Sequence, residues 1–135
     1  MLEIFKSHHP MRHAKSFRHA FEGIFHALLN EPNFRVQIVI VALSVYFGKV
    51  LGITNVEWGI LVISLGLLLA AELINTVVEE LMDHFVRHDD PVVKIIKDLT
   101  AGFVLITAFT ALIILFLIFE PRVRSIVMDN FVRGF

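Results

Sequence analysis

No cysteine occurs among the 135 residues, which excludes disulfides and thiolate metal sites and leaves the redox compartment open. Charge is scarce as well. Only 19% of residues are Asp, Glu, Lys or Arg, and they nearly cancel at a net −1. With no cationic surplus and no basic stripe interleaved with aromatics, the chain lacks the electrostatic footprint of a nucleic-acid binder. It also has no glycine-rich phosphate loop of the Walker type and no protein-kinase catalytic-loop motif, so if it is a kinase it does not belong to the soluble folds. Lys6, His8, His9, Pro10, Arg12 and Lys15 stand where a signal peptide needs an apolar run, and no cleaved leader is expected.

Apolar residues make up what is left. They are 56% of the chain, more than a water-soluble domain of this size can bury. The length allows one domain. Three stretches approach the roughly 20 residues that cross a hydrocarbon core: about 36–53, 58–81 and 99–119. Lys49 interrupts the first near its end, where its ammonium can snorkel to the interface. The third carries no charge and is expected to stop at Glu120-Pro121, because proline cannot continue the helical ladder. Gly52-Ile-Thr-Asn55-Val-Glu57 is short, so the first two spans form a hairpin. The second connection, about 83–98, is polar and interrupted by Pro91. The expected fold is an all-α membrane protein, multi-pass, with an arm over 1–16, a membrane domain over 17–119 and a tail over 120–135 to which no role is assigned.

Upstream of the first span, Phe17, Phe21, Ile24, Phe25 and Leu28 recur at helical spacing among Lys15, Arg18, His19, Glu22 and His26. Beside three spans, this pattern suits an amphipathic helix lying in the headgroup layer. Asn30-Glu31-Pro32 then breaks the helix and turns the chain into the membrane. Orientation follows from basic residues near the span ends. Lys6, Arg12, Lys15, Arg18, Arg35, Arg87, Lys94 and Lys97 lie on one side; Lys49, Arg122, Arg124 and Arg133 lie on the other. The imbalance favours a cytoplasmic N-terminus.

The most informative string is Glu72-Leu-Ile-Asn75-Thr-Val-Val-Glu79-Glu80-Leu-Met-Asp83, at the end of the second span. On a helix, Glu72, Asn75, Glu79 and Asp83 share one stripe, while Glu80 points away. Glu72 falls one to two turns inside the cytoplasmic boundary, and Glu79 falls close to that boundary, about 10 Å further along the axis. Glu31, Lys97 and Asp98 gather at the same membrane face. A site there receives a water-soluble anion from below and a lipid headgroup from the side. Carboxylates and a carboxamide suit magnesium, which favours oxygen ligands, and a lysine suits nucleotide phosphates. A deep carboxylate suits a general base toward an alcohol. Phosphoryl transfer is the chemistry these residue types suggest.

At this point the chain resembles the small bacterial integral-membrane lipid kinases, the diacylglycerol kinase and undecaprenol kinase family. The resemblance covers about 17–119. It rests on Ala20-Phe-Glu-Gly23, Asn30-Glu31-Pro-Asn-Phe34-Arg35, Glu57-Trp58, the Glu72-to-Asp83 string, and Lys97-Asp98-Leu-Thr-Ala-Gly102. It implies a homotrimer in the bacterial cytoplasmic (inner) membrane, with active sites shared between neighbouring subunits, and it implies ATP as co-substrate with Mg2+. Carried over, Glu72 is the catalytic base at the lipid hydroxyl, and Glu31 and Glu79 hold magnesium with the ATP phosphates. Asn75 orients Glu72 or the phosphates, and Lys97 neutralises phosphate charge. Asp83 and Asp98 lie near the nucleotide or support it, and His19 stands where part of the family has an aromatic that would stack on adenine. Asn33-Phe34-Arg35, Gln37 and Glu57-Trp58 resemble the undecaprenol-phosphorylating branch, with diacylglycerol as the alternative lipid.

Plainer readings stand beside each assignment. Glu31 and Glu79 suit solvated helix-end acids, Lys97 and Asp98 an interfacial charge pair, and Asn75 glue between spans. Glu72 resists such a reading, because a membrane-embedded acid is functional by default. Gly48-Lys-Val-Leu-Gly52 reads as a loosened helix end rather than a dimer face, and His8, His9 and His13 as a solvated arm rather than a metal site. Two other function classes compete. An ion carrier with Glu72 as relay requires polar groups on a second span at similar depth, and only Gln37, Ser44, Tyr46, Thr107 and Thr110 are offered. A non-catalytic scaffold would use the acidic stripe to hold a partner.

Overall fold

The computed structural model describes residues 10–133. Among them are four helices: α1 (Pro10–Asn30), α2 (Pro32–Val50), α3 (Asn55–Phe85) and α4 (Pro91–Arg133). The last three are each long and apolar enough to cross a membrane. α1 begins earlier than the arm boundary expected at residue 17. His8 and His9 lie outside the described residues, as does the side chain of His13, so the metal reading of the arm does too.

The turns follow from local chemistry. Glu31 is the extended residue between α1 and α2, and Pro32 opens α2 where a missing N–H costs nothing. Arg35 reaches back to donate to the Leu29 carbonyl at 2.7 Å, satisfying an acceptor at the end of α1. α2 closes with two reversed bonds, Ile53 N–H to the Gly48 carbonyl at 3.1 Å and Gly52 N–H to the Lys49 carbonyl at 3.4 Å. Gly52 sits at φ +62°, the left-handed position that this ending favours in glycine. Thr54 and Glu57 form a capping box at the start of α3.

Two expected boundaries, the length of the second connection and the stop at Pro121, need correction. The second connection is shorter than the polar stretch suggests: α3 runs to Phe85 and α4 starts at Pro91. Asp90 accepts the Val92 N–H at 2.7 Å, and Pro91 ends the connection by opening α4. Pro121 does not end α4, which continues to Arg133. Proline removes one bond, to the carbonyl four residues back. The next carbonyl, that of Ile118, accepts from the Arg122 guanidinium at 2.7 Å. The same guanidinium grips Glu57 at 2.9 and 2.6 Å, holding α4 against the start of α3.

The main apolar core lies between α3 and α4. Ile53, Leu61, Leu65, Leu68, Ala111 and Ile118 are buried there, with Trp58 packed against them. α2 lies along α3 and leaves a gap toward α4. Many large apolar side chains face outward, among them Val39, Leu43, Ile63, Leu105, Phe109 and Phe116. In a bilayer that surface meets lipid tails or other helices, while the backbone polar groups remain satisfied inside each helix.

Candidate functional site

α3 presents Glu72 to the interior of the chain. It is 1% exposed, and with Leu61 it is among the largest fully buried side chains. An ionisable group held this deep needs a partner, and α2 supplies one: Gln37 Nε2 donates to Glu72 Oε2 at 2.8 Å. Thr76 Oγ1 donates to the Glu72 backbone carbonyl at 3.0 Å, and the carboxylate itself is met from α2 by Gln37 and, by hydrogen bonding, by Asn33. Glu31 and Glu79 both lie close enough for their charges to act on Glu72.

One turn along the stripe, Asn75 Nδ2 donates to Glu79 Oε1 at 2.9 Å. Asn75 is therefore bonded to Glu79 on its own helix, and no hydrogen bond from it to Glu72 or to another span is seen among the described residues. Its Oδ1 is buried without a partner, as is Oε1 of Gln37. Glu31 caps the backbone position of α2 but makes no side-chain capping bond, so its carboxylate is not tied up by the helix end.

Further out, Lys97 Nζ donates to Asp83 Oδ1 at 2.8 Å, a hydrogen bond that pushes the ammonium above its ordinary value. Asp98 pairs instead with Lys94 at 2.6 Å, so Lys97 and Asp98 are not a pair with each other. Glu80, which stays exposed and off the stripe as expected, meets His26 of α1 at 2.7 Å. His19 is hydrogen-bonded to Glu22 on its own helix at 3.0 Å and is not brought together with Glu72.

Two cavities divide this stripe. A groove of about 740 Å³ runs between α2, α3 and α4; Asn33, Gln37 and Glu72 mark its polar end, and the rest of its lining is apolar, including Ile40, Leu68, Val104 and Phe109. A polar hollow of about 510 Å³ lies at the α3–α4 turn, lined by Asp83, Arg87, His88, Asp90, Lys97 and Asp98 among others. A fatty chain fits the first chemically, and a charged, water-borne molecule fits the second.

The donor chemistry also suits magnesium. Among the described residues, no cluster of three or more acids or histidines could hold a metal ion by itself. Magnesium does not need such a cage, because it keeps several waters and commonly takes one or two carboxylates plus substrate phosphates. Glu31, Glu79 and the unpartnered Asn75 Oδ1 are oxygen donors of that kind.

Gln37 is the residue that sequence reasoning weighed too lightly. The signal was present: Phe34, Gln37, Ser44 and Gly48 are the buried residues of α2, spaced as one helical face, so Gln37 belongs to a buried stripe. It also meets the condition set for an ion relay, a polar group on a second span at the depth of Glu72. The chain of polar groups stops there, because Ser44, Thr107 and Thr110 each donate to a carbonyl of their own helix.

A family model described as prokaryotic diacylglycerol kinase matches residues 18–119. Over 111 residues the chain is 32% identical to the undecaprenol kinase of Bacillus subtilis, covering 82% of this chain and 90% of that protein. Over 100 residues it is 30% identical to the diacylglycerol kinase of Synechocystis sp., covering 73% of this chain and 57% of that protein.

Proposed function

The chain belongs to the prokaryotic diacylglycerol kinase family, and on that premise we propose that this membrane phosphotransferase uses ATP and magnesium to phosphorylate the hydroxyl of undecaprenol. The observation that carries the reading is the position of Glu72, buried at the polar end of an otherwise apolar groove. A lipid alcohol entering along the groove brings its hydroxyl to that carboxylate. Glu72 accepts the hydroxyl proton as the oxygen attacks the terminal phosphorus of the nucleotide. Glu31 and Glu79, the latter steadied by Asn75, hold the magnesium, which supplies charge neutralisation to the phosphates when bound. Lys97 and Asp83, at the polar hollow, face the nucleotide.

Undecaprenol is favoured over diacylglycerol on chemical grounds. Beyond Asn33, Gln37 and Glu72 the groove offers no polar side chain. A prenol carries one hydroxyl and needs nothing more, whereas the ester carbonyls of diacylglycerol would have only the Asn33 and Gln37 amides as side-chain donors along the groove. Glu57 and Trp58 also have structural roles in this chain. Glu57 caps α3 and binds Arg122, and Trp58 fills the space over Gly48.

The remaining parts of the reading concern assembly: an inner-membrane homotrimer with sites shared between subunits, the N-terminus cytoplasmic, and α1 lying in the headgroup layer with Phe17, Phe21 and Phe25 turned into lipid. The exposure of those phenylalanines supports that placement. The test is to incubate the detergent-purified chain with labelled ATP, magnesium and either undecaprenol or diacylglycerol in mixed micelles. Label is expected mainly in undecaprenyl phosphate. Preferential labelling of diacylglycerol overturns the lipid assignment, and transfer to neither lipid favours the scaffold. Glu72→Gln is expected to keep the fold and lose at least about a hundredfold in rate, the low end for a general base. Near-native turnover in that variant removes Glu72 from the role.

A further inference from the structure

We propose that Gln37 is a positioning residue that serves Glu72 in both of its protonation states. The inference rests on the reading of Glu72 as the base and extends it to the helix opposite. Gln37 is 7% exposed, and it is the buried side chain of α2 that donates to the Glu72 carboxylate, at 2.8 Å; Asn33, which also hydrogen-bonds Glu72, is exposed. One end of its amide is used, since Nε2 donates to Glu72. The other end is not, since Oε1 is buried with no partner. An orphaned acceptor is a poor choice for a residue that only fills space. Methionine or leucine would fill the same position without it.

An amide differs from those residues in carrying a donor and an acceptor on one rotor. Its terminal torsion is broad and two-fold, so a half-turn exchanges the two ends. In the arrangement seen here the N–H end faces Glu72, which suits a carboxylate. During transfer the hydrogen of the lipid hydroxyl passes to Glu72. The alcohol oxygen bonds to the terminal phosphorus, and the bond from that phosphorus to the bridging oxygen breaks to release the nucleoside diphosphate. Glu72 is then a carboxylic acid that has a proton to donate. A half-turn of Gln37 presents Oε1 to that proton, which gives the orphaned oxygen a use. Loss of the proton restores the starting arrangement. Gln37 touches no reacting atom of the substrate; it acts through Glu72.

The experiment is a double-mutant cycle. Gln37→Met keeps the length of the side chain and removes both hydrogen-bonding ends. In single-turnover assays with labelled ATP and undecaprenol, it is expected to lower the transfer rate at least about tenfold, with the KM for ATP unchanged. In a Glu72→Gln background the same substitution is expected to change the residual rate by less than about twofold, because residues acting as one unit are not additive. Gln37→Leu, assayed in parallel, provides the same comparison should the methionine variant fail to fold, as judged by its thermal midpoint. A native rate in folded Gln37→Met, or an equal loss in both backgrounds, overturns the proposal and leaves Glu72 as base. Near-native turnover of Glu72→Gln alone overturns the base assignment instead, so the two failures are told apart.

Discussion

At Gly48 a methyl group has no room. A Cβ there would sit 2.8 and 3.0 Å from the Trp58 ring and 3.1 Å from Ile53. The indole is rigid and wedged into the hairpin, so it cannot yield cheaply. Gly48→Ala is therefore expected to destabilise the hairpin by about 1–3 kcal/mol, the usual cost of overpacking, visible as a lower thermal midpoint in detergent. An unchanged midpoint would show that Trp58 moves aside freely. The same residue scale explains which parts of the site were legible. Glu72, Asn75, Glu79 and Asp83 were readable as a group because they lie on one helix, and its period is fixed by the backbone. Their partners were not, because pairing depends on how helices approach. Gln37 meets Glu72 across 35 positions of sequence, Lys97 chooses Asp83 over Asp98, and Glu80 finds His26. No local spacing encodes those choices.

Among the elements, α4 departs furthest from its expected bounds. The proline rule is sound for a helix judged alone, but Arg122 supplies tertiary bonds that a local rule does not count. The guanidinium of Arg122, followed by the capping bonds from Thr54, holds the Glu57 carboxyl down at about 2, below its ordinary 4.5. Glu57 precedes the apolar stretch that begins at Trp58, and its pair is partly open to water. A carboxylate depressed in the folded state adds stability above its unfolded value and loses it as pH falls through the folded one. The contribution is thus complete above about pH 4.5 and fades toward pH 2. Replacing Arg122 with alanine is expected to lower the thermal midpoint at pH 7 and to flatten its fall between pH 4.5 and 2. Parallel curves for the two proteins over that range would remove the clamp from the account. The helices themselves were largely readable, because long apolar runs and cap residues act locally. The ends that moved, at Pro91 and Pro121, are those where a side chain from the neighbouring turn or helix decides.

For the whole molecule, one chain leaves the proposed site spread out. Lys97 is held by Asp83, and Asp83 stands 83 − 72 = 11 residues from Glu72 on the same helix, about 16 Å along its axis. A single phosphate cannot touch both Glu72 and Lys97 within one subunit in this arrangement. The groove ending at Glu72 is also open along its side, and much of the apolar surface has no partner in the chain. A neighbouring copy around a three-fold axis would close the groove and bring its own Lys97 to the phosphates. Complementation tests this directly. Glu72→Gln and Lys97→Met subunits, each inactive alone, are co-expressed and purified together. With the two residues supplied by adjacent subunits of a cyclic trimer, random mixing restores roughly a quarter of the native rate, since some interfaces combine two intact residues. With both residues supplied by one subunit, every site in the mixture carries a defect and no activity returns. Mixed assemblies confirmed by differential tags, yet still inactive, would place Glu72 and Lys97 in the same chain's site and require Lys97 to leave Asp83 during turnover.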